Sequence, residues 1–319
     1  MKRALLLLAV LAVPAGSHAA ARGGEAVALV TAETQNALLV VDLSSGEVIR
    51  RLPMPADPQN VETTGTDTAA AVVSTRAGAV TLLSLPRLHV RRTIRGFASP
   101  HIAAFSPNDR YLYVTDDKRG QLVVIDVRRA KVAWRTFVCF GAHHLAFRPL
   151  HREVWIACGE RAGMIVVVRT TNFARPHRVQ FLGTHGLLVH DLAFSPNGRR
   201  LWLTYDDRST VAVFDSSWPP RRLFAIQAGA PPQHVAFGRY AYVTSGNDGR
   251  LRVFTLAGRL HALARTPAGS FNVGLGGGIV LTASLTRGTL TQLRGGNGAF
   301  LWTKTIAPAA RDAAFAVLP

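Results

Sequence analysis

Residues 101–108 read His-Ile-Ala-Ala-Phe-Ser-Pro-Asn, and related stretches begin at His143, His190 and Gln233. The Ala-Phe pair within these stretches begins at positions 104, 146, 193 and 236, which gives intervals of 42, 47 and 43 residues. Each interval contains four short runs of β-forming residues, separated by turn residues such as Ser-Pro-Asn. A repeat of this length with four short strands is typical of a β-propeller blade. The repeat therefore predicts an all-β fold made of four-stranded antiparallel blades.

Seven such units are counted if the two ends of the chain combine into one blade. Residues 26–52 contain only three predicted strands, and residues 311–317 repeat the missing first-strand pattern. We therefore expect the C-terminal strand to complete the first blade and close the ring, so that residues 25–319 form a single seven-bladed domain. A ring of six or eight blades is the alternative, if a degenerate unit is miscounted. The glycine-rich stretch 274–278 is interpreted as a flexible turn.

The N-terminus has the pattern of a secretory signal peptide. Two basic residues precede an apolar run over 4–13 and a small-residue stretch over 17–21, so residues 1–20 are predicted to be removed. The run is too short to span a bilayer, which takes about 20 apolar residues. A retained N-terminal anchor is the alternative. We expect a monomer without a transmembrane segment that is secreted, periplasmic or displayed on the cell surface.

The chain is strongly basic, with 37 Lys and Arg residues against 19 Asp and Glu residues and a formal net charge of +18. Such a charge attracts anionic partners, among them wall polymers, lipid headgroups, glycans and, without sequence specificity, nucleic acid. A coding bias toward arginine is the alternative explanation. Arginine pairs recur on predicted outer strands at 50–51, 91–92 and 221–222. Charges there protect exposed strand edges from aggregation, which we favour over a binding surface.

Cys139 and Cys158 are the only cysteines. Cys139 ends the fourth strand of one predicted blade, and Cys158 ends the second strand of the next. Antiparallel pairing brings the end of that second strand back toward Cys139, so a disulfide is expected in an oxidising compartment. The alternatives are two free buried thiols or a metal site shared with His143 or His144.

The strand sequences carry a family resemblance. Tyr-Val-Thr stands at 242–244 and Tyr-Val-Thr-Asp at 113–116, the latter preceded by Ala-Phe-Ser-Pro-Asn and followed by Val-Ile-Asp at 124–126. These units resemble the repeat of the YVTN family of β-propellers over nearly the whole mature chain. The resemblance implies a propeller fold and export from the cytoplasm. Propellers related in architecture include lactonases, lyases and quinone-dependent dehydrogenases, so the fold does not select an activity.

Two adjacent positions at the start of each first strand carry mainly polar residues where a buried strand would prefer Val or Ile. The first row is Gln59, His101, His143, His190, Gln233, Phe271 and Arg311. The second row is Asn60, Ile102, His144, Asp191, His234, Asn272 and Asp312. Neighbouring residues on a strand face opposite ways, so only one row is expected to point into the central channel, and we favour the first.

The first row predicts a polar axial pocket for a small or extended ligand that is anionic or carries a metal. The predicted ligand-binding residues are Gln59, His101, His143, His190, Gln233, Arg311, Asp116 and Asp206. A water-filled polar channel without a ligand is the alternative. Zinc or copper would require three inward histidines close together. Distances across a propeller channel are usually long, so we assign no metal ligands and expect no cofactor.

The sequence contains no Gly-x-Ser-x-Gly elbow, no phosphate-binding glycine loop and no Cys-x-x-Cys motif. We therefore expect an exported, non-catalytic binding scaffold for an anionic or protein partner. The alternative is a hydrolase or lyase, similar to the lactonases, that uses the His and Asp residues of the axial mouth. A metal-handling exported protein is the third hypothesis.

Overall fold

The computed structural model describes residues 24–158, 163–183 and 188–319. In these ranges the chain forms seven antiparallel sheets of four strands each, which confirms the predicted seven-bladed propeller. The predicted signal peptide, residues 1–20, lies outside the described residues. Among the residues that are described, no helix is long and apolar enough to cross a membrane.

The strands are numbered in chain order, and each blade is given from its innermost strand outward. Blade 1 consists of β28 (Ala310–Leu318), β1 (Glu25–Ala32), β2 (Ala37–Asp42) and β3 (Val48–Pro53). Blade 2 consists of β4 (Pro58–Thr63), β5 (Ala69–Ser74), β6 (Ala79–Ser84) and β7 (His89–Arg95). Blade 3 consists of β8 (Pro100–Phe105), β9 (Tyr111–Asp116), β10 (Gln121–Asp126) and β11 (Lys131–Phe137). Blades 4 to 7 are β12 (Leu145–Phe147), β13 (Glu153–Ala157), β14 (Met164–Thr170), β15 (Pro176–Gly183); β16 (Val189–Phe194), β17 (Arg200–Tyr205), β18 (Thr210–Asp215), β19 (Arg222–Gln227); β20 (Val235–Phe237), β21 (Ala241–Ser245), β22 (Arg250–Phe254), β23 (Leu260–Arg265); β24 (Gly274–Gly276), β25 (Ile279–Ser284), β26 (Thr289–Arg294), β27 (Phe300–Thr305). Two 3-10 turns lie at Glu33–Gln35 and Asp117–Arg119.

The two ends of the chain close the ring as predicted. β28 pairs antiparallel with β1, from Glu25 opposite Leu318 to Ala32 opposite Ala310. The innermost strands contact one another in sequence around the axis, and β28 lies between β24 and β4. The tail of the chain therefore completes blade 1 by main-chain hydrogen bonds.

The hydrophobic core is divided among the interfaces between neighbouring blades. Both faces of a blade are covered, so the second and third strands are mainly apolar, and every residue of β9 is buried. Between blades 4 and 5 the ring of Trp155 packs edge-on against Phe194, with centroids 5.4 Å apart. Trp202 packs against Phe237 in the same way between blades 5 and 6. This packing fixes the ends of the inner strands of blades 5 and 6, where Phe194 and Phe237 lie, against the neighbouring blades.

The glycine-rich stretch of blade 7 differs from the expectation. The stretch 274–278 was predicted to be a flexible turn, but Gly274–Gly276 forms the innermost strand β24. Only the last two glycines form the turn, with φ of 57° and 76° as a two-residue hairpin requires. A Cβ on Gly274 would overlap the carbonyl oxygen of Ala313. The glycine content therefore reflects the close approach of the closing strand.

Candidate functional site

The starts of the innermost strands surround a cavity of about 290 Å³ on the propeller axis. Its lining is Gln59, Asn60, His101, Ile102, His143, His144, His190, Gln233, His234, Phe271, Asn272, Leu285 and Arg311. The prediction that only the first row faces the channel was therefore wrong. Strand alternation does not apply here because the inner strands are irregular at this end. The pairing of β8 with β9 skips from Pro100 to Ala103, and β12 begins only at Leu145.

A second cavity of about 230 Å³ lies on the other side of the second row. It shares Asn60, Ile102, His144, His234 and Asn272 with the first cavity. Its further polar lining includes Glu62, Asp191 and Asp312. The second row therefore separates the two parts of the channel.

Some of these polar side chains have a structural role, because they join neighbouring blades. The Asn60 side-chain oxygen accepts a hydrogen bond of 2.9 Å from the main-chain N–H of Ala103 in the next blade. The Asp312 carboxylate accepts one of 3.0 Å from the N–H of Val61, again one blade further on. These side chains satisfy main-chain groups that strand pairing leaves free. Polarity at the second row is thus required for joining blades, with or without a ligand.

Five histidines from blades 3 to 6 form one side of the channel, which we call the histidine wall: His101, His143, His144, His190 and His234. His144 is central, and its ring centroid lies 4.8–5.2 Å from each of the other four. Two triads have ring nitrogens within 4.8 Å of one another: His101, His143 and His144, and His144, His190 and His234. The first-row histidines His101, His143 and His190 form neither triad by themselves, and the second-row residue His144 is part of both.

Carboxylates lie behind the rings of two first-row histidines. The Nδ1 atom of His143 is hydrogen-bonded to the Asp117 carboxylate at 2.9 Å. The Nδ1 atom of His190 lies 2.9 Å from the Asp206 carboxylate. A carboxylate at Nδ1 favours the tautomer with the proton on that atom and leaves Nε2 free to accept a hydrogen bond or bind a metal.

Asp191 serves the two second-row histidines together. One carboxylate oxygen lies 3.2 Å from Nδ1 of His144, and the other lies 3.6 Å from Nδ1 of His234. The second oxygen also accepts the main-chain N–H of Val235 at 3.0 Å. Asp191 therefore joins two blades, as Asn60 does, and in addition orients two imidazoles.

Asp116, predicted to lie at the mouth, is not part of the site. Its carboxylate is buried and accepts the main-chain N–H groups of Ala98 and Ser99, each at 2.9 Å. The strand register explains the error. In blade 3, Pro100 pairs with Asp116. In blade 5, the residue equivalent to Pro100 is Val189, and it pairs with Tyr205. The structural counterpart of Asp206 is therefore Asp117, one residue further along the chain.

Burial lowers the pKa of three histidines well below the ordinary value. Burial and the neighbouring His143 lower the pKa of His101, and burial and His190 lower that of His144. For His234, burial outweighs the opposing effect of Asp191 on the pKa. These imidazoles are therefore neutral at pH 7, which is the form that binds metal ions.

The triad of His144, His190 and His234 is the better arranged of the two. Its ring planes are inclined to one another by 43°, 53° and 78°, so no two of its rings are stacked. The Nε2 atom of His190 is buried and has no hydrogen-bond partner among the described residues. Around a tetrahedral ion with bonds of about 2.0–2.1 Å, ligand nitrogens lie about 3.4 Å apart. The ring nitrogens of this triad lie within 4.8 Å of one another, so binding an ion requires side-chain rotations that draw them together.

The other predicted site residues line the same cavity but have partners of their own. The Gln59 amide donates to the Asp57 carboxylate at 3.2 Å. The Arg311 guanidinium donates to the Glu33 carboxylate at 3.0 Å. Gln233 lies beside the second-row histidine of its blade, and its main-chain N–H is bonded to Thr244. These side chains contribute polarity to the mouth opposite and beside the histidine wall.

Cys139 and Cys158 form a disulfide, with Cα atoms 5.9 Å apart. The bond closes the segment that carries His143 and His144. Main-chain hydrogen bonds link this doublet to Ala157, from the N–H of His143 at 2.9 Å and to the carbonyl of His144 at 2.8 Å. The covalent link therefore lies next to the backbone that positions two of the five imidazoles.

Sequence reasoning selected the first row and passed over the second-row residues His144, His234 and Asp191. Two signals in the chain pointed to them. The doublet His143-His144 places an imidazole in both rows of one blade. The acid Asp191 occupies the second row between the two blades whose second-row residues are histidines.

Comparison with solved structures supports the fold. A functionally unknown protein from Desulfotomaculum acetoxidans DSM 771 superposes with a TM-score of 0.78 at 12% identity, over 92% of this chain and 98% of that one. Apo AztD from Citrobacter koseri gives 0.70 at 9% identity, over 93% and 99%. The dihydro-heme d1 dehydrogenase NirN, in complex with DHE, gives 0.67 at 14% identity, over 94% and 77%. At these identities the likeness establishes the propeller fold alone. No protein-family model and no curated protein sequence matches the chain.

Proposed function

We propose that this chain is an exported, YVTN-like propeller that binds a divalent transition-metal ion through His144, His190 and His234. One observation carries the proposal: the Nδ1 atoms of all three rings face aspartate carboxylates, at 3.2, 2.9 and 3.6 Å. Carboxylates behind imidazoles are the usual second layer of a metal site, because they fix the tautomer and raise the basicity of the ligand. Three Nε2 atoms are thereby left for an ion.

A channel lined only for water does not account for this arrangement. Joining the blades takes one polar group at the second row, which Asn60 and Asp312 provide without any histidine. The histidine wall adds five imidazoles and leaves the Nε2 of His190 buried, with no hydrogen-bond partner in the part of the chain that the structure describes. Such an atom costs about 1–3 kcal/mol unless something binds it. An ion at the triad would remove that cost.

The donor set indicates the kind of ion. Imidazole nitrogen suits zinc, copper and nickel, whereas calcium and magnesium prefer oxygen ligands. Three neutral imidazoles with one open position match a tetrahedral zinc ion that also holds water or an incoming ligand. The aspartates behind the rings supply local negative charge in a chain with a net charge of +18. Zinc is therefore the ion with which we would begin.

We favour binding over catalysis. None of the described residues that line the first cavity is Ser, Thr, Tyr, Cys, Lys, Asp or Glu. The nearest carboxylates, Asp117, Asp191 and Asp206, already face histidine Nδ1 atoms. A zinc hydrolase would use the metal-bound water as its nucleophile, and it also needs a free acid or base beside the ion to move protons. Lactone turnover by the zinc-loaded protein would nonetheless support the hydrolase alternative.

Metal titration tests the proposal. Chelator-stripped protein is titrated with zinc against a chromophoric chelator, beside the variants His190→Ala and His89→Ala. His89 is an exposed histidine on β7, far from the axis, and serves as the matched control. We expect a single ion per chain with a Kd of about 1 µM or tighter, weakened by the first variant only. Equal affinities in all three proteins, or no binding up to about 1 mM, would contradict the proposal.

The basic rim supports a second candidate, a scaffold for an anionic polymer or an acidic protein. The arginine pairs at 50–51, 91–92 and 221–222 are all exposed, and they lie on or beside the outermost strands of blades 1, 2 and 5. Export to the periplasm, the cell surface or the medium would place this rim beside anionic polymers. Binding of a polyanion should then weaken steeply with salt. Salt-independent binding would argue against this role.

A further inference from the structure

His144 is the only histidine common to both triads. Its ring centroid lies 5.2 Å from His101 and 4.9 Å from His143 on one side. On the other side it lies 4.9 Å from His190 and 4.8 Å from His234. Two sets of donors are thus arranged about one central imidazole.

That central imidazole has one nitrogen to offer. Its Nδ1 atom faces Asp191 at 3.2 Å, so only Nε2 can bind an ion, and it can complete only one triad at a time. We infer that His101, His143 and His144 form a second ion position, mutually exclusive with the proposed site, through which the ion enters and leaves. This inference rests on the proposed function.

The two positions differ in how well their donors are arranged. Imidazole lone pairs lie in the ring plane, and His101 is stacked on His143 with centroids 3.8 Å apart and planes only 16° apart. Stacked rings direct their lone pairs side by side, so one ring must rotate before both can bind an ion. Among the described residues, none is hydrogen-bonded to the His101 ring, whereas His143 is held by Asp117. His101 is therefore the ring that turns.

Exposure gives the order of the two positions along the axis. The His143 side chain is 24% exposed, whereas those of His190 and His234 are 15% and 18% exposed. His101 and His143 line the first cavity only, whereas His144 and His234 also line the second. The triad with His101 and His143 is thus the outer position, and the triad with His190 and His234 is the inner one.

Transfer between the positions needs no free ion. An ion held by His101, His143 and His144 exchanges two ligands for His190 and His234 while His144 stays bound. Each exchange breaks one metal–nitrogen bond as another forms, and neither charge nor protons are transferred. The outer position, which needs rotation of His101, binds more weakly and is occupied transiently. It acts as the entry step for a tighter inner site.

Stopped-flow zinc binding and release test this inference in the full chain. His101→Ala should leave the zinc Kd unchanged to within about threefold. It should slow both association and release by about tenfold, the effect of losing roughly 1.4 kcal/mol of stabilisation in the transfer step. His89→Ala should change neither rate. Unchanged rates in the His101 variant would overturn the inference.

A second variant isolates the outer position. With His190→Ala and His234→Ala combined, the chain should still bind a single zinc ion, about a hundredfold more weakly than the unaltered chain. Adding His101→Ala should then abolish binding. Two tightly bound ions in the unaltered protein, or no residual binding in the double variant, would contradict an exclusive pair of positions. Absence of zinc binding in the unaltered protein would instead refute the proposed function itself.

Discussion

The two sides of the channel use the same positions of the fold for different purposes. On the histidine wall, blades 3 to 6 contribute five imidazoles backed by Asp117, Asp191 and Asp206. On the side formed by blades 7, 1 and 2, which we call the amide wall, the second row is Asn272, Asp312 and Asn60. Both walls join neighbouring innermost strands by the same kind of hydrogen bond, from a main-chain N–H to a second-row side chain.

The difference shows which polar groups the fold itself requires. On the amide wall, each second-row side chain is occupied by a neighbouring strand, as when Asn272 donates to the carbonyl of Arg311 at 3.0 Å. On the histidine wall, Asp191 makes the same link to Val235 and then orients His144 and His234. A single residue can join the blades, so the imidazoles need another explanation. The proposed metal site would provide it.

Removing one histidine ligand should show most clearly that only the histidine wall binds the ion. Structural zinc sites contribute about 10–16 kcal/mol from four ligands, or about 2.5–4 kcal/mol each. Because the position formed by His101, His143 and His144 remains, His190→Ala should weaken zinc binding about a hundredfold. Gln59→Ala, a first-row change on the amide wall, should have no comparable effect because its amide is bonded to Asp57. Competition with a chelator measures both. Equal losses would show that the ion does not discriminate between the walls.

The disulfide lies on the histidine wall only. Replacing both Cys139 and Cys158 by Ser should lower the free energy of unfolding by about 3 kcal/mol, the usual value for a closed loop of this size. It should also weaken zinc binding, because the loop carries His143 and His144. Urea unfolding with and without zinc measures the two effects. An unchanged midpoint and an unchanged zinc affinity would mean that the bond does not hold the doublet in place.

A matched pair of aspartates sharpens the comparison further. Asp191→Asn removes the charge behind His144 and His234 and should weaken zinc binding by about 10–100-fold, as is typical for such second-layer groups. Asp312→Asn makes the same change on the amide wall and should leave zinc affinity unaltered. Both variants should lose some stability, because both carboxylates accept a main-chain N–H. If Asp312→Asn weakened zinc binding as much, the role assigned to Asp191 would be wrong.

The pH dependence of stability concerns the amide wall, where the expected effect on zinc affinity is the smallest. Burial, together with the neighbouring Asp312, raises the pKa of Glu62 from 4.5 to about 8. The folded state therefore keeps the proton that the unfolded chain releases above pH 4.5, and stability is lost as pH rises from 4.5 toward 8. Relative to the wild type, Glu62→Gln should gain at most about 1.4 kcal/mol per pH unit in that window.

Urea unfolding of the metal-free proteins at pH 4.5 and pH 8 measures the Glu62 effect. The two proteins should have similar stabilities at the lower pH, and the variant should be the more stable at the higher pH. Glu62→Gln leaves the histidine wall untouched, so the zinc affinity serves as the control. A stability difference that does not change with pH would contradict a buried, protonated Glu62.

The propeller could be predicted from the sequence because every blade repeats the same alternation and turn chemistry. Residues 311–317 matched the first strand missing from blade 1, and β28 closes the ring there. The axial mouth was also located, because polar residues recur at one aligned position. These features depend on local pattern and chain order, which the sequence contains directly.

The composition of the site could not be predicted, because it depends on register. Regular alternation would have turned His144 away from the channel, but β12 begins after it. The choice of Asp116 over Asp117 was wrong by one residue, which in a strand reverses the direction of the side chain. Distances between imidazoles depend on both irregularities. They become visible only when the blades are assembled.

An anomalous difference map from zinc-loaded crystals, recorded at the zinc absorption edge, tests the central claim most directly. The account predicts a peak among the Nε2 atoms of His144, His190 and His234, with bonds of about 2.0–2.1 Å. A peak elsewhere on the chain, or no peak at the axis of protein saturated with zinc, would contradict it.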